Sequence, residues 1–117
     1  MLTFRTDVLD VPNALATILQ DSETSVLQRT FIFRNLTASE LTLTLQESAD
    51  GGATWSNVGT AFIVDVAGGG GDILVKNVAS ANILRVRGQG GGGDRDLEVA
   101  LVSAALDTSH IWTNPKV

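Results

Sequence analysis

The sequence contains no cysteine and no tyrosine, one histidine (His110), two lysines (Lys76, Lys116) and two prolines. Without cysteine there can be no disulfide framework, no thiolate metal site and no cysteine nucleophile, and the redox compartment is left open. The scarcity of His, Lys and Tyr removes most of the side chains that serve as general acids, bases or nucleophiles. Positive charge is scarce as well. Eight Lys and Arg face thirteen Asp and Glu, giving a net charge of −5 and a pI near 4.5. That balance argues against a nucleic-acid partner, whose phosphates call for Lys and Arg, and against an anionic membrane surface. No apolar run approaches the ~20 residues of a membrane span. The opening stretch MLTFRTDVLD is interrupted by acids, so a signal peptide is not expected. The expectation is a soluble protein made in a cytoplasm, as a virion component would also be.

What is present is a chain of 117 residues, 44% hydrophobic and 18% charged. That is enough for one domain with its own core, far from the composition of disordered chains. Its dominant period is two. Leu41-Thr42-Leu43-Thr44-Leu45-Gln46 alternates strictly, and Leu97 to Val102 and Leu84-Arg85-Val86-Arg87 follow the same rule. Thr30 to Arg34, Phe62 to Val66 and Ile73 to Val75 read as further strands, and Ala14 to Gln20 as a strand or a short helix. Turn signals separate them: 35–40, 50–52, 68–71, 77–82 and 88–94. Alternation on one face favours antiparallel pairing. The expected fold is all-β, an antiparallel β-sandwich of Ig-like or jelly-roll-like type with extended N- and C-terminal segments. Residues 1–25 are expected as an N-terminal arm or edge strand, 26–106 as the sandwich, and 107–117 as a C-terminal tail. Ile111 and Trp112 in that polar tail, and Arg85 and Arg87 on one strand face, are the candidate interface residues.

The sharpest local motif is Ser48-Ala49-Asp50-Gly51-Gly52-Ala53-Thr54-Trp55. It fits the Asp-box pattern Ser-x-Asp-x-Gly-x-Thr-Trp, in which glycine supplies positive φ and the carboxylate accepts bonds from the turn's own N–H groups. Ser48, Asp50, Gly52 and Trp55 are therefore read as a structural hairpin. Nine of the twelve glycines fall in the stretches 68–71 and 88–93. The second satisfies G-x-G-x-x-G in form, but it leads into a strand rather than a helix, so both are expected to be loops between strands and not phosphate sites. No catalytic residue is assigned, since Asp107, Ser109 and His110 share one tail and cannot converge as a triad requires. No cofactor or metal is expected. Asp50, Asp65, Asp72, Asp94 and Asp96 lack the spacing of a known calcium loop. Asn35-Leu36-Thr37 is a glycosylation sequon.

The run from Leu41 through Trp55, followed by a strand, a Gly-rich loop and Ile83-Leu84-Arg85-Val86-Arg87-Gly88, resembles small β-sandwich virion proteins of tailed bacteriophages, of the capsid decoration (cement) type. The likeness covers about residues 30–103. It implies a non-enzymatic protein on the outer capsid surface that binds the major capsid protein and stabilises the shell, often as a homotrimer. The alternative is a carbohydrate-binding or adhesion sandwich of a phage tail or bacterial surface, with Trp55 or Trp112 stacking on sugar rings.

Overall fold

The structure is a computed structural model and describes residues 3–12, 14–22, 28–80, 82–90, 95–103 and 110–112. Its strands are β1 (Thr3–Val11), β2 (Ala16–Asp21), β3 (Gln28–Asn35), β4 (Leu41–Ser48), β5 (Ser56–Asn57), β6 (Phe62–Val64), β7 (Ile73–Ala79), β8 (Ile83–Gly90), β9 (Arg95–Ser103) and β10 (His110–Trp112). One sheet has the order β1-β9-β3-β7. The other runs β10-β2-β8-β4-β5, with β6 also on β4. Every pairing among the described residues is antiparallel. Taking β5 and β6 as two pieces of one strand along β4, the first eight strands have the order 1-8-3-6 over 2-7-4-5. That is jelly-roll topology, which settles the choice between the two expected sandwich types.

Period-two patterning explains the layers. Leu41, Leu43 and Leu45 of β4, Phe31 and Phe33 of β3, and Leu97, Val99 and Leu101 of β9 are all buried, while their neighbours turn outward. Phe31 stacks on Phe33 at 6.0 Å, and Phe62 tilts against Phe33 at 5.6 Å. The Lys76 ammonium sits 4.5 Å from the centre of the Phe62 ring. At one end of the core, Arg29 of β3 and Asp21 of β2, both fully buried, form an ion pair at 3.4 Å that ties the two sheets together. Arg29 also donates to the Ser80 and Asn82 carbonyls at 2.5 and 2.7 Å, and Glu47 accepts from the Ser80 hydroxyl and the Asn82 amide.

Of the arm or edge strand expected at the N-terminus, the described residues show the edge strand: β1 lies at the edge of its sheet with Leu9 and Val11 fully buried, and β2 lies inside the six-stranded sheet between β10 and β8. Apolar side chains on the inward parity of both strands bind them into the core. At the other end of the chain, the backbone of 110–112 pairs with Leu19–Asp21. One expectation changes: Gly88 to Gly90 extend β8 rather than opening a loop. Gly88 faces Leu43, and a Cβ there would lie 2.8 Å from Leu43 Cδ2 and 3.2 Å from Val11 Cγ1. The glycine is what lets the sheets close at this point.

Candidate functional site

The hairpin after β4 is built as its residue types require. Gly51 and Gly52 have φ of 76° and 98°, the left-handed region that favours glycine. The Ser48 hydroxyl donates to Asp50 Oδ1 at 2.7 Å and accepts from the Gly52 N–H at 2.8 Å. Asp50 also accepts from the Thr54 N–H at 2.9 Å and from the Thr54 hydroxyl. The bonds from the Thr54 hydroxyl and N–H, then from Ser48, hold the Asp50 carboxyl at about 2, below its ordinary 3.8. Trp55 folds back over the turn, and its Nε1 donates to the Gly52 carbonyl at 3.1 Å.

From this hairpin a polar surface extends across the outer face of the six-stranded sheet. The Arg85 guanidinium stacks over the Trp55 ring at 4.1 Å. Its Nε donates to Gln46 Oε1 at 2.7 Å, and Gln46 in turn donates to Asn57 at 2.9 Å. Burial, and then the charge of Arg87, shift the Arg85 pKa downward. Arg87 stands two residues along β8, opposite Thr44 and Thr17. The structure thus brings Asp50, Gly52, Trp55, Arg85 and Arg87 close together, with the buried Ser48 beneath the turn. Ile111 and Trp112 belong to β10, where Ile111 holds the register position opposite Gln20. Their side chains lie outside the described residues, as do Asp94, Asp107 and Ser109.

Other polar groups are committed to the fold. Asp65 accepts from the Val66 N–H at 2.8 Å, and Asp72 from the Gly68 N–H at 3.1 Å. Among the described residues no three metal-ligating side chains converge. Asn35 of the sequon is buried: its amide donates to the Ser39 carbonyl at 2.7 Å, and its oxygen accepts from the Thr37 N–H and hydroxyl. A glycan has no approach to it. An open depression of about 500 Å³, lined by residues including Ser39, Glu40, Thr42 and Gln89, holds one carboxylate. It presents no acid–base pair. The Asp21–Arg29 pair escaped the sequence reading, although Arg29 shares the inward parity of Phe31 and Phe33. That parity was the available signal.

The class defined by this arrangement is a small antiparallel jelly-roll sandwich. No protein-family model matches the chain, and no curated protein matches it. Among solved structures it is similar to a chain from the Bacillus endospore appendages, described as a novel family of disulfide-linked pili: TM-score 0.61 and 13% identity, covering 97% of this chain and 89% of that one. It is also similar to PirA, with TM-score 0.55 and 14% identity over 82% and 90% of the two chains. At these identities the likeness is one of fold.

Proposed function

We propose that this chain is a non-enzymatic structural module that acts by covering and holding a protein surface: a capsid decoration protein of a tailed phage. In this reading it is made in the host cytoplasm and, as a homotrimer, binds the outer face of the major capsid protein on the virion. The observation that carries the reading is where the polar side chains go. Asp50, Asn35, Asp65 and Asp72 hold their own loops, and the extended surfaces left for function are flat sheet faces. Flat faces suit broad contact better than turnover. The jelly roll recurs in viral capsid and lectin domains, a fold-level analogy that supports the reading and assigns no role.

The alternative of a sugar-stacking Trp55 is less favoured, because Arg85 occupies one ring face and Nε1 is committed to Gly52. The pilus-like neighbour keeps a fibre subunit as a second reading. With no cysteine in this chain, such a fibre would be held without disulfides. Purified shells of the cognate phage, incubated with the protein, should bind it at saturating stoichiometry and gain heat resistance. No binding to shells, together with a positive glycan array, would replace the decoration reading with the carbohydrate one.

A further inference from the structure

The outer face of the six-stranded sheet carries two cations whose charge the fold leaves unpaired. Among the described residues Arg29 pairs with Asp21, Arg34 with Glu98, and Lys76 lies over the Phe62 ring. Arg85 and Arg87 are in no ion pair among these residues. Their neighbours in the outward rows are neutral. Gln20 and Gln46 flank Arg85, Thr17 and Thr44 flank Arg87, and Gln89 opposite Thr42 forms the next row. Acids outnumber Lys and Arg thirteen to eight in this chain, so the pairing is not missing for want of carboxylates.

The two guanidinium groups are held in place but not satisfied. Arg85 lies on Trp55 at 4.1 Å and gives its Nε to Gln46 at 2.7 Å. That fixes the group and leaves its terminal nitrogens, Nη1 and Nη2, with no bond to a described residue. Arg87 makes one long bond, from Nη2 to the Leu15 carbonyl at 3.5 Å, and its Nε is buried with no partner. A buried donor without an acceptor is costly. Two like charges two residues apart on one strand, roughly 6.6 Å, repel. Burial, and then Arg87, draw the Arg85 pKa down. An acceptor of opposite charge bound across the two groups would relieve both penalties.

We propose that Arg85 and Arg87 form a recognition site for a pair of carboxylates on a protein partner, spaced as on alternate residues of an extended strand. That spacing is the arginines' own, roughly 6.6 Å, and each guanidinium fork fits a carboxylate edge to edge. The surroundings favour a protein over a polyanion such as nucleic acid or a sulfated glycan. Two arginines answer two charges, while the molecule as a whole, at net charge −5, repels a continuous row of phosphates or sulfates. The Trp55 ring, on which a base or sugar would stack, is already stacked by Arg85. The neutral Gln and Thr neighbours supply a rim that can hydrogen-bond without adding charge. Arg85 is ordered in advance by Trp55 and Gln46, so little freedom is lost on binding. The proposal rests on the reading of the chain as a cover for a protein surface, and names the chemistry of the surface it grips.

The test follows the arginine Nε–H signals of the isotope-labelled full chain by NMR as peptides are added. A peptide of alternating Glu and Thr is expected to move the Arg85 and Arg87 signals together, most of all that of the unpartnered Arg87 Nε. Its Gln-for-Glu counterpart should move neither. Arg85→Gln or Arg87→Gln should each weaken binding about 10-fold, the loss of one charge-assisted contact. Arg85→Glu/Arg87→Glu should lose the Glu peptide and bind a peptide of alternating Lys and Thr instead, with melting curves confirming the fold of each variant. Signals that stay in place with the Glu peptide, that move as far with the Gln peptide, or that respond more tightly to duplex DNA or heparin would each overturn the proposal. Shells of the cognate phage separate this site from the decoration reading. A double variant that covers shells as well as wild type overturns the arginine site and leaves decoration standing. Peptide recognition by a wild type that never binds shells supports the site and removes decoration.

Discussion

At the scale of single residues, Asp50 and Gly88 define the sharpest expectations. The folded Asp50 carboxyl titrates at about 2 against 3.8 when free. A depressed pKa stabilises the folded state above the free value, and that stabilisation is lost as pH falls through the folded value. Thermal melts across pH 5 to about 2 should therefore show wild type losing more stability than Asp50→Asn, the two converging at the acid end. Equal losses across the window would contradict the bonding described. Gly88→Ala forces a methyl against Leu43 and Val11, an overpacking expected to cost about 1–3 kcal/mol in a denaturant titration. The hairpin was legible in the sequence because its Ser, Asp, Gly, Thr and Trp all act within eight residues. The stack of Arg85 on Trp55 and its bond to Gln46 were not. They depend on the register of β8 against β4, partners 39 positions apart, which no local pattern encodes.

At the scale of strands and turns, alternation located the core of β3, β4, β8 and β9 because buried and exposed residues there differ sharply in polarity. β10 was missed: three residues carry too little period to read, and only pairing with β2 defines the strand. β1 was read as an arm or edge strand because Asp7 and Asp10 break its apolar run, yet Leu9 and Val11 share the inward parity. The Arg29–Asp21 pair gives this scale its prediction. Arg29→Ala leaves a buried carboxylate without its cation, which should cost about 3–5 kcal/mol by chemical denaturation. Arg29→Met combined with Asp21→Asn removes both charges and should cost markedly less. If the double variant is as damaged as the single, the pair is not the source of the loss.

At the scale of the whole molecule, strand order is the part the sequence could not reveal. β1 pairs with β9 and β2 with β8, so the two ends of the chain complete the same two sheets. Folding must close long loops before most pairings form, and refolding is expected on the millisecond-to-second scale in stopped-flow measurements. Deleting residues 1–12 should not behave like trimming an arm. It removes two core side chains, Leu9 and Val11, worth about 1.5–3 kcal/mol each, and bares the edge of β9, so insoluble or melted protein is expected where an arm deletion would leave the melting curve unchanged. The ammonium of Lys76 has its own meaning at this scale. It lies on β7, one of the two edge strands of its sheet, and turns inward over Phe62. A stray strand adding to β7 would seal that charge away from water, so the lysine acts as a guard against runaway sheet growth. Lys76→Val should remove the guard, with thioflavin-positive aggregation of the folded protein as its visible sign. The molecule is then free to make contacts through its broad faces while the β7 edge stays closed to amyloid.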